Sequence, residues 1–188
     1  MTSKRITTLL GQLGLTQVRY VSPVRRGAAQ GLAGRVYEQV EREFGVLAPS
    51  LALLSPAPQV LAASWVMLRE TVLVTGKVGR AAKEAVATTV SLGNTCPWCV
   101  TVHSTMLSGL AGGLVLSGQP GQPIADPRLR AVTTWARECQ TEEGALVHEP
   151  ACPRGEAAEL IGTFPRRHEC ADRTGARTLY TAVVGIFR

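Results

Sequence analysis

Two cysteines separated by two residues, in Thr95-Cys96-Pro97-Trp98-Cys99-Val100-Thr101-Val102-His103, are the residues of this chain best placed for chemistry. Thiols at that spacing can close a disulfide within one helical turn. His103 follows Cys99 by four residues, so on a helix the three side chains share one stripe. A nucleophile, a second thiol and a base would then lie side by side, as dithiol redox chemistry requires. The thiolate is the attacking form, and an ordinary cysteine with pKa ~8.5 is mostly protonated at neutral pH. His103 can take the Cys99 proton directly or through a water. Attack on a peroxide gives a sulfenic acid, which the other cysteine condenses with to form a disulfide. Because Cys99 is one turn from the base, it is expected to meet the hydroperoxide, and Cys96 to resolve it. The opposite order also has a physical basis, since the unpaired N–H groups of a helix terminus favour a Cys96 anion.

Positioning these groups requires a helical hairpin. Arg80 to Leu92 reads as one helix and Cys96 to about Gly112-Gly113 as the next, joined at Gly93-Asn94, with Thr95 as an N-cap and Pro97 in the first turn. Glu84, twelve residues before Cys96, lies as far ahead of that turn as His103 lies behind it. In an antiparallel pair the two are level, and the carboxylate faces the imidazole. Glu84 shares its face with Ala81, Ala87, Thr88 and Ser91, small enough for close helix approach. The β-branched run Val86 to Val90 weakens the helical assignment.

Elsewhere, residues 1–27 read as a basic lead-in. Ala28 to Phe44 reads as an amphipathic helix with Leu32, Val36, Val40 and Phe44 on one side. Gly45 to Pro58 reads as a proline-punctuated connector, followed by a helix to about Val74. Ser117 to Pro123 is loop-like. Asp126-Pro127 starts a helix running to Cys139, and Glu156 to Ile161 forms another. Arg166 to Phe187 closes the chain, with Thr178 to Phe187 open between helix and strand. A single all-α domain over residues 1–188 is the expectation.

With 188 residues, the chain can bury roughly 70% of its unfolded surface without disulfides or metal. An apolar fraction of 45% and a mean hydropathy of +0.11 fit a compact soluble fold. The net charge of +6 is spread, with Arg25-Arg26 and Arg166-Arg167 the only adjacent basic pairs, so no nucleic-acid partner is expected. The apolar region Val46 to Val74 is broken by prolines and carries Arg69 and Glu70, so no membrane span is expected. No secretory signal is visible, five cysteines is an odd number, and a cytoplasmic location follows as the expectation. Gly76-Lys77-Val78-Gly79-Arg80 lacks the spacing of a phosphate-binding loop.

Glu84, Cys96, Cys99 and His103, flanked by Lys83-Glu84-Ala85-Val86-Ala87 and Ser91-Leu92-Gly93-Asn94, resemble the alkylhydroperoxidase D-like family, the carboxymuconolactone decarboxylase superfamily. The resemblance is concentrated over residues 55–115. It implies an all-α helical bundle with the CxxC at the N-terminus of a central helix. It also implies a peroxiredoxin-type alkyl hydroperoxidase activity in antioxidant defence, with Cys99, Cys96, His103 and Glu84 catalytic. No bound cofactor or metal is implied. The partners would be a hydroperoxide, a thiol reductant of lipoyl type or a peroxiredoxin partner that exchanges disulfides with the CxxC, and further copies of the chain as dimer, trimer or hexamer. Trp98 departs from the pattern, because the best-known members carry a histidine there. That departure puts peroxidase turnover in question and keeps open a dithiol–disulfide oxidoreductase without peroxidase activity.

Cys96-Pro97-Trp98-Cys99 also looks like the glutaredoxin motif, but ninety-five residues of largely helical pattern precede it. Cys96, Cys99, His103 and Glu84 could in principle ligate zinc, although structural zinc usually takes its second ligand pair from elsewhere. A non-catalytic interaction protein of the same fold is the third alternative, with Trp98 as its contact. Cys139 reads as a small buried apolar residue. Cys152 and Cys170 are left open, and His148 and His168 have no recognisable partners.

Overall fold

The computed structural model describes residues 21–110, 124, 126–140 and 151–163. Among these residues every regular element is helical and there is no strand. They fall into two compact units that divide after Glu70.

In the first unit, a 3-10 turn at Arg26–Ala28 leads to α1 (Gly31–Glu43), α2 (Pro49–Ala52) and α3 (Pro58–Leu68). Helix α1 starts at Gly31, three residues later than its apolar pattern suggests, because Gln30 is extended and Gly31 takes φ +58°. Its buried side chains are Ala33, Val36, Tyr37 and Val40, at helical spacing. It ends on Gly45, whose φ of +93° is the left-handed turn that glycine accommodates, with the Gly45 N–H donating to the Val40 carbonyl.

The segment expected to be a plain connector is a buried part of the unit. Val46, Leu47, Ala48, Leu51, Ala52 and Leu53 are all buried, and Pro49–Ala52 form α2. Pro49 was the misleading signal, since it sits at the first turn of α2, where it is tolerated. The Tyr37 hydroxyl donates to the Val24 carbonyl, and the Val24 N–H donates to Ser55 Oγ, tying the segment before α1 to α1 and to the turn after α2. Burial pushes the Tyr37 phenol up. The helix expected to reach Val74 is α3 followed by a π-helical turn, Arg69–Leu73, that spans the boundary between units.

The second unit holds α4 (Arg80–Gly93), α5 (Pro97–Leu110), α6 (Pro127–Glu138) and α7 (Arg154–Ile161). Helix α4 packs against both α5 and α6. Every residue from Ala82 to Ser91 is buried, so this stretch of α4 has no solvent face. The β-branched run is helical for a visible reason. The hydroxyls of Thr88, Thr89 and Ser91 donate to the carbonyls four residues earlier, which satisfies them inside the core. Around α4 lie Val78, Leu107, Leu129, Val132, Trp135, Ala136 and Leu160. Asp126 caps α6 by accepting from the Arg128 and Leu129 N–H groups. At the other end of the unit, the Glu159 carboxylate of α7 accepts from the N–H groups of Lys77 and Val78 and pairs with Lys83 at 3.2 Å. The residues assigned above to the lead-in before 21, the 117–123 loop, the closing segment from 166, Cys170, His148 and His168 lie outside the described residues.

Candidate active site

The turn between α4 and α5 sets the cysteine pair. Asn94 is right-handed helical and buried, and the left-handed residue is Thr95, at φ +52°, rather than the glycine before it. A β-branched residue in that region is uncommon and stores local strain, which often accompanies functional sites. Cys96, not Thr95, then occupies the N-cap of α5. Its carbonyl accepts the first intrahelical bond, from Val100 N–H, and its sulfur lies 3.4 Å from the Cys99 backbone nitrogen. This is the role that Ser or Asp usually plays, a side-chain acceptor for the N3 N–H of the helix.

Cys96 and Cys99 are joined as a disulfide, with 5.4 Å between their α-carbons. Both are partly buried, as are Trp98 and His103. The indole nitrogen of Trp98 is buried without a hydrogen-bond partner. His103 lies one turn after Cys99 on α5.

Glu84 is brought to His103 across the helix pair. Its Oε2 lies 2.8 Å from His103 Nδ1, and the carboxylate has no exposed surface. The other oxygen, Oε1, is 3.3 Å from Arg80 Nε on the same helix. Arg80 also reaches Met106 Sδ of α5, at 3.9 Å. The carboxylate is thus held between an imidazole and a guanidinium, which is how a buried charge is made tolerable. Arg80 is the site residue that the sequence reading missed, although its i,i+4 relation to Glu84 was there to be read.

The four residues do not converge as a ligand set. The sulfurs pair with each other and His103 Nδ1 pairs with Glu84. No group of three or more His, Cys, Asp or Glu among the described residues could hold a metal. Cys139 and Cys152 are partly buried and pack on the α4 core. Burial, and then the nearby Glu156, pushes the Cys152 thiol up, with Arg128 opposing. Among the described residues no helix is long and apolar enough to cross a membrane.

No protein-family model matches the chain, and no solved structure matches it. One relative from Mycobacterium tuberculosis, named an alkyl hydroperoxide reductase, is 39% identical over 163 residues. The aligned part covers 80% of this chain and 43% of the relative, so the chain spans less than half of that protein's length. With an all-helical fold and a cysteine pair at the head of α5, the chain is similar over those 163 residues to a protein named an alkyl hydroperoxide reductase.

Proposed function

We propose that this chain reduces alkyl hydroperoxides with the Cys96–Cys99 dithiol, in antioxidant defence. The observation that carries the reading is the 2.8 Å contact between Glu84 and His103, one turn from the disulfide-bonded pair. A buried carboxylate on Nδ1 fixes the tautomer of the imidazole, so that Nε2 presents the lone pair that receives a proton. The relative's name points in the same direction.

The steps balance as follows. His103 takes the Cys99 proton, and the thiolate attacks the distal oxygen of ROOH. The O–O bond breaks, Cys99 becomes a sulfenic acid, and the alkoxide leaves as ROH with the proton from His103. The Cys96 thiol then attacks the Cys99 sulfur, expelling water and forming the disulfide seen here. An external dithiol, such as a lipoyl-type group, returns two electrons and two protons by attacking Cys96. Cys99 is released as the thiolate nearest His103. The Cys99 N–H beside Cys96 Sγ also favours a Cys96 anion in the reduced state, which would speed condensation with the sulfenic acid. A site that must be recycled by thiols fits a reducing, cytoplasmic compartment.

Single Cys→Ser variants test the assignment. The Cys96→Ser protein should accumulate a sulfenic acid with peroxide, and the Cys99→Ser protein should not. Sulfenic acid confined to Cys99→Ser would reverse the two roles.

A further inference from the structure

We infer that the outer face of α6 docks a second copy of this chain, with the two α6 helices antiparallel about a twofold axis beside Thr134. Helix α6 turns Leu129, Val132, Trp135 and Ala136 to the core. Its other side presents Arg130, Ala131, Thr134 and Glu138, all exposed. These four, with Trp135 and Ala151, line a groove of about 380 Å³. The middle of the groove is small and uncharged. Its two charges stand apart, Arg130 one turn before Thr134 and Glu138 one turn after it.

That spacing is self-complementary. When two copies of the helix lie antiparallel about Thr134, position 130 of one is level with position 138 of the other, and symmetry repeats the match. Each guanidinium then meets a carboxylate. Ala131 and Thr134 at the centre are small enough for the helix axes to approach within about 8–10 Å. The net charge of +6 makes two copies repel, so they meet best where the contact itself brings opposite charges together. An acidic partner would find Glu138 in its way, whereas an antiparallel copy matches both ends. Arg130 has no ion-pair partner among the described residues. Glu138 has a contact of its own, which a carboxylate with two oxygens can keep while accepting from a second arginine. Of the remaining charges, Asp126 caps α6 and Arg128 pairs with Glu156 at 2.8 Å. Neither of these lines the groove, nor does the exposed Arg137 on its flank.

The test is sedimentation equilibrium of the full chain over a concentration series. It compares wild type, Arg130→Glu, Glu138→Arg and an equimolar mixture of the two variants, with helicity checked by circular dichroism. The wild type should form a dimer or an even multiple of it. In each variant alone, like charges face each other at both ends of the helix pair, and the dissociation constant should rise by about tenfold or more. In the mixture, the carboxylate introduced at position 130 meets the guanidinium introduced at position 138. The unchanged Arg130 and Glu138 meet at the other end, so assembly should return as a mixed dimer. Should a charge reversal unfold the chain, Thr134→Arg sets two like charges on the axis itself and should weaken assembly equally. A wild type that stays at single-chain mass or stops at a trimer overturns the inference. So do variants that assemble like the wild type, or a mixture that assembles no better than its components.

Discussion

Glu84, shut off from solvent on α4, meets His103 of α5 at 2.8 Å, and that contact joins the core of the second unit to the cysteine pair. It follows that changes to the pair should be read first in thiol reactivity. His103→Ala should slow reaction of the reduced protein with peroxide by about 10²–10⁴-fold at neutral pH. Part of that loss should be recovered at high pH, where the thiolate forms unaided. Stopped-flow rates across a pH series make the comparison, and a pH-independent loss would contradict a base role.

The small side chains of α4 permit that contact. Ala85 has no exposed surface and packs in the core shared with α6. Ala85→Leu should destabilise the protein by about 1–3 kcal/mol through overpacking, measured by denaturant unfolding. If the helix shifts to relieve the crowding, peroxide reactivity falls with it.

Glu159 should matter to stability in a pH-dependent way. Backbone N–H donation from Lys77 and Val78, followed by Lys83, holds its carboxyl below the usual carboxylate range. A lowered folded-state pKa stabilises the fold above the unfolded value near 4.5 and loses that contribution as pH falls through the folded value. Glu159→Gln should therefore lower Tm at pH 7 by several degrees and bring little change at the acid end. An equal loss at both ends would show that the carboxylate charge is not what matters.

Thr95 offers a stabilising substitution. A β-branched residue at φ +52° costs roughly 1 kcal/mol relative to a residue that tolerates the left-handed region. Since the Thr95 side chain is exposed, Thr95→Asn should raise stability by up to about 1 kcal/mol in denaturant unfolding. A loss of stability would mean that the threonine side chain contributes something beyond its backbone conformation.

How far the sequence foretold this site depends on which residue is asked. The register of Glu84 and His103 was legible because both are measured from one turn, and an antiparallel hairpin leaves only one way to match them. The helicity of Val86 to Val90 was harder to see, because propensity knows nothing of the carbonyls four residues back that accept the Thr88 and Thr89 hydroxyls. The 45–58 segment misled through Pro49, whose position at the start of α2 becomes visible only once the surrounding apolar residues are seen to be buried, whereas Pro58 was legible as the start of the next helix. Thr95 was expected to cap α5, but the left-handed turn moves the cap to Cys96, and with it the sulfur's place at the N3 N–H. Arg80 escaped notice because an i,i+4 ion pair on a helix is ordinarily a solvated one, and only burial of Glu84 gives it weight.

Assembly is a further expectation. A homo-oligomer, as dimer, trimer or hexamer, is proposed from the low aromatic fraction, the small-residue helices and the family resemblance. Sedimentation at micromolar concentration should show a species heavier than the 20.0 kDa chain. A species of single-chain mass would count against it.

The central claim is that Cys96 and Cys99 form one redox couple driven by hydroperoxide. Its most direct test is thiol titration of the fully reduced chain before and after one equivalent of an alkyl hydroperoxide, with mass spectrometry of the peptides. The account predicts the loss of two thiols per chain, one equivalent of the alcohol, and a disulfide linking Cys96 to Cys99. Retention of both thiols, with a Cys96–Cys99 disulfide forming only when a disulfide oxidant is supplied, would contradict it and identify a dithiol–disulfide oxidoreductase instead.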